Sequence, residues 1–267
     1  MSLGILSEMT IDQVREFGPE VVLLAVGSTE PHGPAMQYGT DAWAVDYIAR
    51  HATVRANDQG ARVLMYPTLP IGNNVNFVAW PFVCRIGVRT LMLTLLDIIE
   101  AVEQDGIRKV VLLNGHGGNT DAMNAVLREH YGRTPSDRRA FVCVTTSLPS
   151  KEATAMVEHP SNHGGESETS RQMYIRGEGV DASKLDNFPR GVPTIDLLED
   201  PRIRWVRPWH LHYPVSAGGD ARKSSVEKGK ALVESGIDGL AKFLVELSDA
   251  PWHPDFPYPR TPGADAS

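Results

Sequence analysis

The first residues that suggest chemistry lie in one glycine- and proline-rich loop, GSTEPHGPAMQYGTD, at positions 27–41. Glu30 and His32 are two residues apart, so both side chains project to one side if the chain is extended there. Asp41 ends the loop, which is able to fold back on itself. Two carboxylates and an imidazole form a suitable ligand set for a divalent metal. The alternative is that both acids only cap a helix or stabilise a turn, and that His32 is an ordinary loop residue.

A second candidate ligand, His116, lies in the segment NGHGGNTD at positions 114–121. The glycines on both sides of it permit a tight turn and close backbone approach. A histidine at the exit of a buried strand has no packing role, so we interpret it as a further metal ligand. A phosphate-binding loop is disfavoured, because GHGG has neither the Lys-Ser/Thr of a P-loop nor the GxGxxG spacing. A turn with a surface histidine is the remaining alternative.

The third segment is NHGGESETS, at positions 162–170. If a helix begins near His163, then His163 and Glu166 are three residues apart and share a face. Glu168 would point elsewhere. This argument favours Glu166 as a ligand and Glu168 as a supporting group, although the sequence leaves open which of the two completes the metal shell. The alternative is a run of acidic residues that only favours the helix N-terminus.

The segments between these motifs alternate between strand-like and helix-like, which is typical of βαβ units and a mainly parallel sheet. Continuous apolar runs predict buried strands over 20–26, 62–66, 108–113 and 140–145. Helices are predicted over 41–58 with Asp41 as N-cap, over 87–105 ended by Gly106, over 119–131, from about 166, and over 222–247. Residues 186–220 are expected to be irregular. The first two motifs therefore follow strands, at the edge where α/β sheets form ligand sites.

Composition narrows the class of protein. The 267 residues are 42% apolar and 22% charged, which is enough to bury a sizeable core. We expect a single domain over 1–250 and a proline-rich tail over 251–267 that is unstructured or lies on a neighbour. The net charge of −7, with no Lys/Arg cluster, disfavours nucleic acid as a partner. The absence of a membrane-length apolar run and of a signal-like N-terminus predicts no membrane partner and a cytoplasmic protein.

Together the motifs resemble those of the creatininase (creatinine amidohydrolase) family. The matching pieces are GSTEPHGPAMQYGTD, LLNGHGGN, HGGESETS and GGDARKSSVEKGKAL, the last at 218–232. Their order and spacing cover most of the chain, from about residue 20 to 245. The resemblance implies an α/β/α three-layer sandwich with a mainly parallel sheet. It also implies two divalent ions per chain (zinc, manganese or iron), a homo-oligomer that is often a hexamer, and hydrolysis of C–N bonds in amides or cyclic amides.

The resemblance also implies roles for individual residues. Glu30 and His116 would hold one metal, His32 the other, and Asp41 would bridge the two. In creatininase itself a carboxylate two residues after the second-motif histidine completes the site, whereas Gly118 stands at that position here. Relatives with GHGGN take the missing carboxylate from the third motif, which points to Glu166. His163 matches the histidine of that motif and is the expected proton shuttle.

The chain departs from the family pattern around the substrate. The usual segment ending in E-H-x-x-F-P-G-T is replaced by NNVNFVAWPFVC at 73–84, which makes creatinine a doubtful substrate. We expect a different pocket, shaped by polar and aromatic side chains of this segment and of the irregular region. The candidates are Asn74, Asn76, Trp80, Trp205, Trp209 and His210.

The sequence thus predicts a metal-dependent amidohydrolase that acts on a small-molecule amide. A divalent metal lowers the pKa of water to about 7, so a metal-activated hydroxide is available as the nucleophile at neutral pH. His163 and Glu166 are the predicted catalytic residues, with His163 passing a proton to the leaving nitrogen. The alternatives are a metal-dependent deformylase, lactonase or peptidase on the same site, or a non-catalytic metal-binding family member.

Overall fold

Four parallel strands form the central sheet in the computed structural model, which describes residues 4–158 and 163–259. They are β1 (Val21–Val26), β2 (Val63–Met65), β3 (Lys109–Asn114) and β4 (Phe141–Thr145). Their order is β2-β1-β3-β4, so the chain first crosses to one side of β1 and then returns to its other side. The four predicted strands and the parallel sheet are confirmed. Strands β1, β2 and β3 were visible in the sequence because strands buried on both faces need continuous apolar runs. The edge strand β4 is half-buried but has a similar apolar run.

Helices cover both faces of this sheet. They are α1 (Ile11–Phe17), α2 (Thr40–Asn57), α3 (Val88–Gln104), α4 (Thr120–Arg133), α5 (Lys151–Ala155), α6 (Glu166–Ile175), α7 (Trp209–His212) and α8 (Val226–Asp249). The long helices lie within a few residues of their predicted bounds. Gly106 has φ +88° just beyond α3, as expected of a glycine that ends a helix. Helix α1 was not predicted, although a capping box joins Thr10 and Gln13 at its start.

Two apolar cores lie on opposite faces of the sheet. Val21, Leu23 and Ala25 point to the face covered by α2 and α8. Val22 and Leu24 point to the other face, which is covered by α3 and α4. This alternation follows from the two-residue period of a strand. The molecule is therefore an α/β/α sandwich with three layers, as the sequence predicted.

The region over 186–220 contains more regular structure than expected. Strands β5 (Asn187–Phe188) and β6 (Gly219–Asp220) pair antiparallel at its two ends, and α7 lies between them. The proline-rich tail was expected to be unstructured or to lie on a neighbour. Its described part instead contacts this chain, with the Phe256 ring 5.1 Å from the ring of Phe141.

Residues 260–267 lie outside the described part of the chain. The assignment of one domain to residues 1–250 stays a prediction. Across residues 4–158 and 163–259, no helix is both long enough and apolar enough to span a bilayer.

Candidate metal centre

The first two motifs meet where the order of the sheet reverses. Strands β1 and β3 are parallel neighbours, and the loops that leave their carboxyl ends diverge, one toward α2 and the other toward α4. Such a switch point is where open α/β sheets form ligand sites. Glu30 and His32 follow β1, and His116 follows β3. The fold thus brings together residues that are more than 80 positions apart in the sequence.

Asp41 connects both loops through its two carboxylate oxygens. Oδ1 lies 3.1 Å from Nε2 of His32, and Oδ2 lies 3.0 Å from Nδ1 of His116. The helix α2 begins at Thr40 after Gly39, whose backbone forms the N-cap. The prediction that Asp41 caps this helix is therefore wrong, because the Asp41 side chain turns toward the two histidines.

Glu30 presents a buried carboxylate oxygen without a donor. Its Oε2 accepts a hydrogen bond from the hydroxyl of Ser28 at 2.7 Å and lies 3.2 Å from Nδ1 of His116. No hydrogen-bond donor among the described residues reaches Oε1. Burial raises the pKa of Glu30 to about 7, against the opposing effect of His116. A buried oxygen of this kind is costly unless a proton or a cation occupies it.

The neighbouring carboxylates raise the pKa values of His32 and His116. Burial disfavours the charged form of His32, but the carboxylates of Asp41, Glu168 and Glu30 together outweigh burial and raise the pKa of His32 to about 10. Burial likewise opposes the charge on His116, whereas Glu30 and Asp41 raise its pKa to about 9. The pKa of Asp41 is lowered below its ordinary value, because the two histidines outweigh its burial. The cluster therefore has a strong affinity for positive charge.

His163 approaches the cluster from the third motif with a defined tautomer. Its Nε2 lies 3.0 Å from the carbonyl oxygen of Pro31, which only accepts, so this nitrogen carries the proton. Its Nδ1 then has a lone pair, and this atom lies 3.8 Å from Oε1 of Glu30. Burial and the positive charge of His32 hold the pKa of His163 well below its usual value. His163 is thus a neutral imidazole whose free lone pair faces the cluster.

Glu168, and not Glu166, faces this cluster. Oε2 of Glu168 lies 3.6 Å from Nε2 of His32 and accepts the backbone N–H of Gly164 at 2.7 Å. Glu166 is fully buried elsewhere: its Oε1 bonds to the Lys228 ammonium at 2.5 Å and its Oε2 accepts the N–H of Glu158. Burial raises the pKa of Glu168.

The expectation for Glu166 as a metal ligand and catalytic residue is corrected accordingly. A shared face for His163 and Glu166 requires a helix from near His163, but Gly164 has φ +63° and α6 begins only at Glu166. His163 therefore lies in the preceding turn, where helical spacing does not apply. The two consecutive glycines before Glu166 were the available signal for this late start.

Among the residues that the structure describes, the nitrogen and oxygen donors form three overlapping groups, each with its ligand atoms within 4.8 Å of one another. The groups are Glu30, His32 and His163; Glu30, Asp41 and His116; and His32, Asp41 and Glu168. Carboxylates with imidazoles suit zinc, manganese, iron or cobalt. The donor chemistry and the unpartnered oxygen of Glu30 both fit divalent metal.

Comparison with known proteins identifies the family of this chain. A sequence model of the Creatininase family, described as creatinine amidohydrolase, matches residues 7–244. The chain belongs to the creatininase family. It is 25% identical to the creatinine amidohydrolase of Pseudomonas putida over 246 residues, covering 86% of this chain and 90% of that one.

Further relatives carry different hydrolase names. The 3-dehydro-scyllo-inosose hydrolase of Thermotoga maritima is 25% identical over 276 residues, covering 96% of this chain and 86% of that one. The mycofactocin precursor peptide peptidase of Mycolicibacterium smegmatis is 27% identical over 238 residues, covering 88% and 86%. The relatives are hydrolases, and this member of the creatininase family is therefore a hydrolase as well.

Solved structures confirm the fold. A Bacteroides fragilis protein assigned to the creatinine amidohydrolases superposes with a TM-score of 0.80 at 25% identity, covering 95% of this chain and 100% of that one. Creatininase itself gives a TM-score of 0.73 at 22% identity, with coverage of 94% and 100%. Creatininase structures include a Zn–Zn form and an Mn form.

Position 118 has no room for a side chain. A Cβ atom at position 118 would lie 2.2 Å from the carbonyl oxygen of Asn73 and 2.4 Å from Nε2 of His116. A side chain at this position requires the loop to shift. Glu168, in contrast, lies beside His32 and Asp41.

Half of the predicted pocket residues line one cavity beside the cluster. Asn76, Trp205 and Trp209 contribute to its wall, together with His163, and its volume is about 720 Å³. Asn74 instead lies below the site, where its amide donates to the hydroxyl of Ser28 at 2.7 Å.

Trp80 and His210 are not among the described residues that line this cavity. Sequence reasoning could not separate these positions, because an irregular segment has no period that assigns its side chains to one face.

Proposed function

We propose that this chain is an amidohydrolase that binds two divalent metal ions and cleaves the C–N bond of a small amide or cyclic amide. The observation that carries the proposal is the sharing of Asp41 and Glu30 between adjacent donor groups. One bridging carboxylate between two groups is the arrangement expected of a site for two ions. Glu30, His32, Asp41, His116 and Glu168 are the proposed ligands.

Divalent ions held by these residues supply a Lewis acid and lower the pKa of water to about 7. The chain itself contributes three carboxylates and a dry setting, since Glu30, His32 and Asp41 are all buried. Four positive charges from two ions against three carboxylates leave one charge, which an anionic nucleophile or substrate group neutralises. The protein therefore places the reacting atoms where negative charge is favoured.

His163 is the proposed general base and acid. Its Nε2 is held by the Pro31 carbonyl, so Nδ1 is free to take a proton from the attacking water. The same nitrogen then delivers this proton to the leaving nitrogen, which departs as a neutral amine. The rings of Phe77 and Trp209, with centroids 5.7 and 5.2 Å from that of His163, support its orientation.

A second candidate is cleavage of another bond on the same site, by a deformylase, lactonase or peptidase. Relatives named as an inosose hydrolase and as a peptidase support this second candidate. A non-catalytic metal-binding protein is the third candidate, and the intact donor set disfavours it. A cytoplasmic location and a homo-oligomer, for example a hexamer, stay predictions; light scattering after gel filtration measures the latter.

The deciding experiment is metal content per chain in protein purified without chelator, for the native chain and for Asp41→Ala. We expect close to two ions in the native protein and close to none in the variant. The metal-replete protein is then assayed against amides, formamides, lactones and dipeptides. Hydrolysis of amides supports the proposal, and preferential turnover of another class supports the second candidate. Bound metal with no turnover of any class would leave the non-catalytic candidate.

A further inference from the structure

A second cavity opens onto the candidate metal centre from the side of α6. We name it the α6 cavity; it has a volume of about 500 Å³ and lies between α2, α6 and the loop after β4. Asp41, His116 and Glu168 line both this cavity and the one with the tryptophans. The donors therefore form a shared wall, and a substrate bound at them can extend into the α6 cavity. Its volume suits a small organic molecule.

Arg171 is the residue in the α6 cavity that calls for an explanation. It lies three positions after Glu168 on α6, so both side chains lie on one side of the helix. Within residues 4–158 and 163–259, no carboxylate comes within 4.0 Å of its guanidinium and no acceptor hydrogen-bonds to it. By contrast, Arg55, on the exposed side of α2, bonds to both Glu234 and Asp238.

The guanidinium of Arg171 keeps its charge although the residue is half-buried. Burial lowers its pKa, while the carboxylates of Glu168 and Asp41 act in the opposite direction. A guanidinium keeps its proton under such conditions and offers five N–H donors in a planar fork. Because Arg171 lines the α6 cavity, a ligand carboxylate bound there is able to accept two of these hydrogen bonds, which is the strong bidentate arrangement of a guanidinium with a carboxylate.

The remaining walls fit a small acid. Apolar side chains of α2 and α8, including Val45, Ile48 and Leu232, form one side, and the hydroxyl residues Thr146 and Ser147 form another. Its only acids among the described lining residues are Asp41 and Glu168, both proposed metal ligands. When metal is bound, its charge neutralises these two carboxylates. The α6 cavity then carries the positive charge of Arg171, which an anionic group of a ligand would balance.

We propose that Arg171 binds a carboxylate of the substrate, so that the hydrolysed molecule is a small amide that also carries a carboxylic acid. This inference rests on the proposed function and narrows its substrate class. The carboxylate lies at Arg171 and the scissile amide at the metal ligands. In the reaction the C–N bond breaks, water oxygen bonds to the carbonyl carbon, and the nitrogen leaves with a proton. Arg171 positions and selects the substrate.

The experiment uses the monoamides of the C3–C6 dicarboxylic acids and the corresponding neutral diamides. These pairs present the same amide with and without a carboxylate. Metal-replete native protein is compared with Arg171→Met, which removes the charge and keeps the length. Arg15→Met is the matched control, because it removes an exposed arginine of α1 that pairs only with Asp12 among the described residues. Both hydrolysis and calorimetric binding of the dicarboxylate products are measured.

We expect the native protein and Arg15→Met to prefer at least one monoamide over its diamide about 10- to 100-fold in kcat/KM, the range of a charge-assisted hydrogen bond. Arg171→Met should abolish this preference through KM, with little change for the diamide, and should weaken dicarboxylate binding similarly. Arg171→Lys should recover only part of the binding, because it lacks the planar fork. Unchanged melting temperature and metal content in Arg171→Met show that the loss is local.

Two results would overturn the assignment of Arg171. One is equal turnover of acids and diamides by native protein and Arg171→Met, which leaves the amidohydrolase proposal intact. The other is the absence of dicarboxylate binding by the native protein. Failure of the proposed function looks different: no amide is hydrolysed, yet dicarboxylates bind to native protein and bind weakly to Arg171→Met.

Discussion

The two halves of the candidate metal centre are held in place by different means. The strand-end half consists of Glu30, His32, Asp41 and His116, and its side chains bond directly to one another. The helix half consists of His163 and Glu168, which are placed by the Gly164 turn and by the first turn of α6. The geometry of the strand-end half follows from the sheet, whereas that of the helix half depends on how α6 is anchored.

Glu166 provides that anchor. Its buried carboxylate pairs with Lys228 at the start of α8, and the backbone carbonyl of Glu166 accepts the hydroxyls of Ser170 and Ser224. At Gly229 a Cβ atom would lie 1.9 Å from the carbonyl oxygen of Ser170, so only a glycine lets α8 approach α6 this closely. Two glutamates two positions apart thus have separate tasks: Glu166 fixes the helix and Glu168 faces the metal centre.

The largest effect is expected for Glu168→Gln, which removes a proposed ligand and keeps the shape of the side chain. Loss of groups around a metal costs about 10- to 100-fold in affinity even when they only support the ligands, so removal of a ligand should cost at least 100-fold. Metal analysis should show about one ion per chain instead of two. Glu152→Gln, at an exposed position of α5, is the control and should retain both ions. Glu166→Gln, measured at a temperature where it is folded, should also retain them. Metal loss in Glu166→Gln without loss in Glu168→Gln would reverse the assignment of the two glutamates.

Replacement of His163 by alanine tests the other member of the helix half. We expect kcat to fall about 10²- to 10⁴-fold, the usual contribution of a general acid–base, with metal content unchanged. His51→Ala removes an exposed histidine of α2 and should leave turnover as it is. Full activity in His163→Ala would refute the proton-transfer role. Loss of an ion would instead make His163 a ligand of the group that contains Glu30 and His32.

Glu166→Gln should affect stability more than chemistry. The variant leaves the Lys228 ammonium without its buried partner, and breaking such a pair costs about 3 kcal/mol. The melting temperature should fall by roughly 6–12 °C, measured by calorimetry in the presence of metal. Glu227→Gln, at an exposed position of α8, is the control and should change it little. In the double variant Glu166→Gln, Lys228→Met, part of the loss should be recovered, because the unpaired charge is gone.

The difference between the strand-end half and the helix half also determined how much of the site could be predicted from the sequence. The strand-end half could be predicted, because continuous apolar runs locate β1 and β3, and the carboxyl ends of neighbouring parallel strands meet at one edge. The helix half could not be assigned, because the spacing that joined His163 to Glu166 requires a helix from His163, whereas α6 begins three residues later, at Glu166. The Glu166–Lys228 pair joins residues 62 positions apart and leaves no periodic signal in either helix. The sequence around Arg171 likewise gives no indication that this side chain lines a cavity.

The smallest effect is expected for substitution of Gly118. It tests whether the strand-end half has room for a further side chain. The loop beside Gly118 is fixed, since the N–H of Asn73 donates to Asn119 and the Asn73 amide donates to the carbonyl of Ile86. A methyl group at position 118 therefore meets an oxygen that cannot easily move, and Gly118→Ala should cost about 1–3 kcal/mol of stability, measured by denaturant unfolding. Gly117→Ala is the control, because a Cβ atom there meets nothing within 4 Å.

The consequence for metal binding follows from the same contact. If the strand-end half cannot accept a third carboxylate, Gly118→Glu should fail to restore the second ion to Glu168→Gln. Recovery of two ions per chain in Gly118→Glu, Glu168→Gln would show that this loop yields, and that either half is able to complete the site. Failure, with the fold retained, would mean that Glu168 became necessary because the Asn73 carbonyl and the ring of His116 occupy the space of any side chain at position 118.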